Sequence, residues 1–291
     1  EDDLDGFSEE LSETLKEKLK EQAMQISEFF GGPQDIEWTI QRDHIYILQS
    51  RKITGGCNTE QINIFSMKKS LSVNTLSIYQ AYALPVHLRD HLLRTTAIVC
   101  WILEHWKGEK LNEEVMIKAC LLHDIGNIVK GTDEKFKVIF PDIFSEECWQ
   151  YWLNVRKHIG EKYGKTDIEA TINIAKEINV SEPVLKLIED KQFCRNKEIY
   201  LDTNYEAKIC AYADQRVSPN GILSLDGRLD EAKTRHRGIA GSSVNSSDYE
   251  LLKQYAGKIE EQIFEFVEGS PEDINDKSVE RYILELKSYE F

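Results

Sequence analysis

The chain has 291 residues, of which 41% are hydrophobic and 10% aromatic, and its formal net charge is −15. This apolar content is enough for a sizeable core, in one large domain or two ordinary ones, and it excludes a largely disordered chain. The acidic balance, without a basic stripe, argues against nucleic acid and anionic membranes as partners.

The six cysteines are scattered and none forms a C-x-x-C pair, which favours reduced thiols and a cytoplasmic location. The longest apolar run, 97–103, is far shorter than the roughly 20 residues that a bilayer requires, so no membrane span is predicted. The chain begins at Glu1 rather than Met, and this favours a sequence truncated upstream.

The first predicted element is an amphipathic helix over residues 8–30, because apolar residues recur there at three- and four-residue steps. Gly31-Gly32-Pro33 ends it. Residues 35–40 and 44–50 alternate apolar and polar side chains and predict a β-hairpin. Small and polar residues then follow in T-G-G-C-N-T-E, 54–60, and a domain boundary is expected between about 54 and 72.

Everything after residue 72 has helical periodicity, with turns between the helices and no convincing strand. The fold class expected is therefore mainly α: an all-α helical domain preceded by a small α+β piece. The domains are expected at 1–54 and 72–291, with a linker at 55–71. The helices are expected at 72–82, 84–106, 112–125, 145–163, 167–178, 181–190, 204–217, 226–237, 248–267 and 276–288.

Three of these helices carry ionisable residues on their apolar faces. His91 lies in the second helix, His123 and Asp124 end the apolar run A-C-L-L-H-D-I-G, and Asp214 ends A-Y-A-D. Buried ionisable groups need compensation, and a metal ion commonly supplies it. Two imidazoles and two carboxylates suit one divalent transition metal (Mn, Fe, Co, Ni or Zn) better than calcium. Such a metal would polarise a phosphoryl oxygen and lower the pKa of bound water.

These residues, over roughly 72–240, resemble the HD superfamily of metal-dependent phosphohydrolases. The resemblance implies an all-α fold, with His91, His123, Asp124 and Asp214 as metal ligands. It also implies cleavage of a phosphomonoester or phosphodiester of a small phosphorylated molecule, with a nucleotide as the expected substrate. Asp124 is expected to orient or deprotonate the attacking water, although the sequence does not assign the base.

The chain departs from the family pattern after the His-Asp pair. Many members continue H-D-I-G-K, whereas this chain has Asn127 and reaches a lysine only at Lys130. Only His158 falls between the pair and Asp214, which favours a mononuclear site. Arg94 and Lys130 are the predicted phosphate contacts, because a phosphate ester needs cationic donors. Arg216 and Arg228 are further cations close to Asp214 in sequence, and His87 is a lower-ranked metal ligand one turn before His91.

The amino-terminal piece, about 12–54, resembles a different family through I-S-E-F-F-G-G-P-Q-D-I-E-W-T-I and H-I-Y-I-L-Q-S-R. These strings are similar to the end of the ATP-binding domain of phosphoenolpyruvate synthase and pyruvate phosphate dikinase. By that resemblance Glu37 would coordinate Mg²⁺, and Gln49 and Arg51 would contact ATP phosphates. Lys52 stands where the family usually has proline. Mg-ATP binding is expected only if the rest of that domain lies upstream.

The two resemblances leave two candidate functions, and a purely structural helical protein ranks below both. The first is a metal-dependent phosphohydrolase of a small phosphorylated substrate. The alternative is a regulator linked to a phosphoenolpyruvate synthase-like phosphotransferase, whose helical domain binds a nucleotide or phosphometabolite without turnover. The oligomeric state is not predicted.

Overall fold

The computed structural model describes residues 13–29, 34–41, 44–52, 74–130, 146–190, 192–236 and 247–291. The chain divides into two compact units, Glu1–Thr59 and Glu60–Phe291. The first contains a helix and a β-hairpin, and the second is built mainly of helices. The predicted fold class, an α-helical domain preceded by a small α+β piece, is therefore confirmed.

In the first unit, α1 spans Glu13–Phe29, β1 spans Gln34–Gln41 and β2 spans His44–Lys52. The two strands pair antiparallel, with a register shift between Glu37 and Trp38. The hairpin thus forms where alternating apolar residues predicted it. Residues 8–12 and 30 of the predicted first helix lie outside the described part of the chain.

The second unit follows the predicted helices closely, with most ends displaced by one to three residues. Its helices are α2 Thr75–Ala81, α3 Val86–His105, α4 Glu113–Leu122, α5 Glu146–Lys162, α6 Asp167–Glu177, α7 Glu182–Asp190, α8 Asn196–Leu201, α9 Tyr205–Asp214, α10 Leu225–Arg235, α11 Tyr249–Phe264 and α12 Asp276–Lys287.

Two small features of this unit were not predicted. The short helix α8 contains only six residues and carries little periodic signal. Strands β3 (Val217–Ser218) and β4 (Gly221–Ile222) form a two-residue antiparallel pair, where no convincing strand was expected. A tertiary contact fixes α8, because the side chain of Asn196 at its start is buried and hydrogen-bonded to Gln215. A local contact closes the strand pair, since the hydroxyl of Ser218 donates to the carbonyl of Gly221.

Polar side chains cap the starts of α4 and α9, two of the three helices that carry the site. The side-chain oxygen of Asn112 accepts a hydrogen bond from the backbone N–H of Val115 at the start of α4. Asn204 does the same for Ala207 at the start of α9. These N-caps satisfy backbone donors that a helix leaves without an intrahelical partner. They therefore determine the residue at which each helix begins.

Helix α3 is the centre of the second unit and packs against α4, α9 and α12. Its side chains Ile98 and Ile102 are fully buried, as are Ile209 and Ala213 of α9. Burial of such apolar surface is the main stabilising contribution to the fold. This packing brings the first half of α3 beside the carboxyl-terminal ends of α4 and α9.

The buried arginine Arg216 fixes the chain just after α9. Its guanidinium donates to the carbonyls of Leu223, Pro271 and Ile274 and to the hydroxyl of Tyr212. A buried guanidinium is tolerated only when its donors are satisfied in this way. Arg216, which the sequence left open as a phosphate-binding cation, thus joins β4 and the 271–274 segment to the end of α9. None of the helices in the described ranges is long and apolar enough to cross a membrane.

Candidate metal centre

Three segments of the helical unit bring four of the predicted site residues together. His91 lies in the first half of α3, His123 and Asp124 follow directly after α4, and Asp214 is the last residue of α9. The side-chain ligand atoms of His91, His123 and Asp124 all lie within 4.8 Å of one another. Asp214 joins them, because its Oδ1 is 3.0 Å from Nε2 of His91 and 3.3 Å from Nε2 of His123.

The two imidazoles face each other through the same ring atom. Nε2 of His91 and Nε2 of His123 are 3.2 Å apart. Asp124 lies slightly farther out, with Oδ2 at 3.8 Å from Nε2 of His91 and 3.9 Å from Nε2 of His123. Two nitrogen and two oxygen donors therefore converge on one small region.

The ring of His123 is fixed by a backbone contact. Its Nδ1 lies 2.7 Å from the carbonyl oxygen of Cys120. Because a carbonyl can only accept, Nδ1 carries a proton, and Nε2 is the nitrogen that the ring directs at the group. The side chain of His123 is 1% exposed, whereas that of Asp124 is 24% exposed, so the group is closed on one side and reachable on the other.

Asn127 orients Asp124 from the position where many HD proteins have lysine. Its side-chain amide donates a hydrogen bond of 2.5 Å to Oδ2 of Asp124. The turn that carries both residues is held against α6, since the backbone N–H of Gly126 donates to Oγ1 of Thr171. Sequence reasoning treated Asn127 only as a departure from the family and missed this contact.

A divalent transition metal fits this donor set. Imidazole nitrogens together with carboxylate oxygens suit Mn, Fe, Co, Ni and Zn, and ligating histidines typically bond a backbone carbonyl through their second nitrogen. His123 has that arrangement. His158 is exposed on α5 and is not one of the residues, His91, His123 and Asp124, whose ligand atoms form the compact group. His87 is largely buried one turn before His91, and burial lowers its pKa to about 4, with the charge of His91 adding to the effect.

The two predicted phosphate contacts pair with carboxylates elsewhere. Nε of Arg94 lies 3.3 Å from Oδ1 of Asp276 in α12, and its Nη1 lies 3.8 Å from Oδ2 of Asp90. Nζ of Lys130 lies 2.7 Å from Oδ2 of Asp167 in α6. Among the described residues, Arg94 and Lys130 thus form their ion pairs with these acids and not with the four converging residues.

A further cationic group lies beside Asp214. Arg228 of α10 donates through Nε to the carbonyl of Val217 and pairs through Nη1 with Glu231. Burial and the charge of Arg235 lower the pKa of this guanidinium, and the negative charges of Glu231 and Asp214 oppose that effect. The sequence analysis did not single out Arg235, although its spacing of seven residues from Arg228 places both on one helix face.

In the amino-terminal unit, the backbone register pairs Glu37 with Gln49 and Asp35 with Arg51. The side chains of Glu37, Gln49 and Arg51 lie outside what the structure describes. Their roles toward Mg²⁺ and ATP phosphates therefore stay predictions.

Comparison with known proteins gives two family matches and one relative. The family model of the HD domain matches residues 88–216, and that of the pyruvate phosphate dikinase AMP/ATP-binding domain matches residues 3–70. A rifampicin phosphotransferase of Bacillus cereus is 38% identical over 76 residues, which are 26% of this chain and 9% of that protein. No solved structure matches the chain significantly. Both resemblances seen in the sequence are thereby confirmed: a segment that matches the pyruvate phosphate dikinase ATP-binding domain is followed by one that matches the HD domain.

Proposed function

We propose that the helical unit is a divalent-metal-dependent phosphohydrolase that cleaves a phosphoester of a small phosphorylated molecule, with a nucleotide as the expected substrate. The observation that carries this proposal is the convergence of two imidazole nitrogens, 3.2 Å apart, with the carboxylates of Asp124 and Asp214. The match of residues 88–216 to the HD domain supports it, because proteins of that family are generally metal-dependent phosphohydrolases.

His91, His123, Asp124 and Asp214 would hold one metal ion, chosen among Mn, Co, Ni, Fe and Zn. A metal in this place supplies Lewis acidity toward a phosphoryl group. His123 anchors the site, because its ring is buried and tied to the carbonyl of Cys120. Asp124 is partly exposed and oriented by Asn127, and we assign to it the orientation of the attacking water.

The phosphate contacts predicted at Arg94 and Lys130 would require their ion pairs to open. The side chain of Lys130 is 66% exposed and that of its partner Asp167 is 34% exposed. An exposed pair of this kind contributes only about 0–1 kcal/mol, so a dianionic substrate can compete for the lysine. Arg94, with a 26% exposed side chain, pairs with two acids and is the less available of the two.

The test compares metal content and turnover in matched histidine variants. The unaltered protein, His123→Ala and the control His158→Ala are purified identically, analysed for metals, and assayed for phosphate release with Mn, Co, Ni, Zn and Mg added singly. We expect about one transition metal per chain and turnover in the unaltered protein and in His158→Ala. Both should be lost in His123→Ala, because a buried ligand is removed.

The opposite result would favour the alternative function. Binding of a nucleotide or phosphometabolite without turnover at any metal would assign the helical unit to regulation of a phosphotransferase. The match of residues 3–70 to an ATP-binding domain is the observation that keeps this alternative open. ATP binding by Glu37, Gln49 and Arg51 is expected only in a chain that contains the rest of that domain.

A further inference from the structure

One face of α10 carries two arginines that share a single carboxylate. Arg228, Glu231 and Arg235 follow one another at spacings of three and four residues, so they lie on the same side of the helix. Nη1 of Arg228 is 3.1 Å from Oε2 of Glu231. Nε of Arg235 is 2.7 Å from Oε1 of Glu231, and its Nη2 is 3.4 Å from Oε2.

These arginines are more buried than an ordinary surface pair. The side chains of Arg228 and Arg235 are 16% and 20% exposed, against 59% for Arg281, which pairs with Glu104 on α3. Two half-desolvated guanidinium groups repel each other, and one carboxylate compensates only one of them. Burial together with the charge of Arg235 indeed lowers the pKa of Arg228.

This cationic face lies next to the proposed metal centre. Arg228 donates to the carbonyl of Val217 in β3, three residues after Asp214, and both α10 and α3 pack against this strand. At the end of α10, His236 is held neutral by burial and by the charges of Arg235, Arg228 and Lys130, which lower its pKa to about 4. The contact with β3 thus places the start of α10 close to the end of α9, where Asp214 lies.

Both guanidinium groups keep donors that could reach a ligand. A guanidinium has five N–H donors, arranged to suit a phosphate. Among the described residues, Nη2 of Arg228 and Nη1 of Arg235 have no hydrogen-bond acceptor. If a divalent ion compensates Asp124 and Asp214, then two arginines, Arg228 and Arg235, share the single carboxylate of Glu231.

We propose that Arg228 and Arg235, held together by Glu231, form an oxyanion subsite beside the metal centre that binds phosphate groups of the substrate. This rests on the proposed function, and it names phosphate-bearing molecules, rather than neutral esters, as the class the site selects. Glu231 keeps the two arginines together when the subsite is empty, and an incoming phosphate competes with it for their donors.

The test measures inorganic phosphate binding by calorimetry, without turnover, in the unaltered protein, Arg235→Gln and Arg281→Gln. Each variant removes one arginine from an ion pair with glutamate, so Arg281→Gln controls for net charge. Each protein is measured with chelator and again with Mn²⁺ restored. We expect Arg235→Gln to weaken phosphate binding about tenfold in at least one state, since it removes charge-assisted hydrogen bonds, and Arg281→Gln to change it little.

Equal binding by Arg235→Gln and Arg281→Gln in both states would overturn the proposal, as would absence of phosphate binding by the unaltered protein in both. If Arg235→Gln does not fold, Glu231→Gln decides: tighter binding supports the competition described above, and equal or weaker binding overturns it. The measurement with chelator keeps this test separate from the proposed function. A protein that holds no metal and hydrolyses nothing would contradict the proposed hydrolase function. Its affinity for phosphate would still show whether the two arginines form a phosphate-binding subsite.

Discussion

The side-chain amide of Asn127 donates a 2.5 Å hydrogen bond to Oδ2 of Asp124, three residues earlier in the chain. In a metal site, a contact of this kind orients the ligating carboxylate and is commonly worth a factor of 10 to 100 in metal affinity. The residue that departs from the H-D-I-G-K pattern therefore has a structural role of its own in this chain. It supports the carboxylate instead of presenting a positive charge.

We predict that Asn127→Ala weakens metal binding by roughly 10- to 100-fold, because Asp124 loses the donor that orients it. Competition with a chromophoric chelator would give the affinity for Mn²⁺ or Zn²⁺. Asn154→Ala serves as the control, since Asn154 is an exposed residue of α5 that bonds Gln150. Identical metal affinities in the two variants would mean that Asn127 does not support the ligand.

Gly126 permits the turn that carries His123 and Asp124 to approach α6. A Cβ atom at this position would lie 2.4 Å from the backbone nitrogen of Thr171 and 2.8 Å from the carbonyl carbon of Ala170. Backbone atoms cannot move aside as a flexible side chain can. The glycine of the H-D-I-G motif is thus explained by a close backbone contact and not by an unusual φ angle.

Gly126→Ala should therefore lower the free energy of unfolding of the helical unit by about 1–3 kcal/mol, as overpacking usually does. Chemical denaturation followed by circular dichroism would measure this. Gly257→Ala is the matched control, because Gly257 lies within α11 and a Cβ there meets nothing within 4 Å. That variant should be neutral or stabilising by up to about 1 kcal/mol. A Gly126→Ala protein as stable as the control would contradict the close-contact explanation.

The approach of the four central residues could be predicted from sequence because each lies on a strongly apolar helical segment. Apolar periodicity places His91, His123 and Asp214 on the sides of their helices that pack together, and compact packing then leaves little freedom. Their roles as metal ligands remain predictions. The helical class and the hairpin followed from the same kind of local pattern.

Which cations contact the substrate phosphate could not be predicted from sequence in the same way. Arg94 and Lys130 are close to the site in sequence. Arg94 forms ion pairs with Asp276 and Asp90, however, and Lys130 forms one with Asp167. Arg216 proves to be enclosed by carbonyls of the 223 and 271–274 segments. Which acid or carbonyl meets an arginine is decided by tertiary packing between distant segments. Local periodicity carries no information about such partners.

His236 should make the helical unit less stable in acid. Burial, reinforced by Arg235, Arg228 and Lys130, lowers its pKa to about 4 against an ordinary value of 6.5. The unfolded chain therefore binds the proton more readily, so this group's stabilisation is present above pH 6.5 and is lost as the pH falls toward 4. His236 is partly exposed, so solvent screening keeps the effect small, about 1 kcal/mol or less.

We predict that His236→Asn loses less stability than the unaltered protein between pH 7 and pH 5, a range that begins above 6.5 and ends above the folded value of about 4. Melting temperatures across this range, in chelator so that metal release does not intervene, would give the difference. His158→Asn, at an exposed position of α5, is the comparison. Parallel pH curves for His236→Asn and the unaltered protein would show that His236 is not held neutral in the fold.

Metal removal should destabilise the helical unit, because a ligand that binds only the folded chain stabilises it by mass action. With free metal at one hundred times its dissociation constant this amounts to about 2.7 kcal/mol, which for a unit of this size corresponds to roughly 5–10 °C in melting temperature. Asp214→Asn should reduce this response strongly, since Oδ1 of Asp214 lies 3.0 Å and 3.3 Å from the two imidazole nitrogens.

Asp230→Asn is the matched control for that measurement, because Asp230 is an exposed acid of α10 that pairs with Lys253. It removes the same charge from the surface and should leave the response to metal intact. Scanning calorimetry of the three proteins, with chelator and with excess Mn²⁺, separates the effect of the ion from that of the substitution. If the unaltered protein melts at one temperature in both conditions, the four residues do not bind the metal, and their convergence must be explained by hydrogen bonding among themselves.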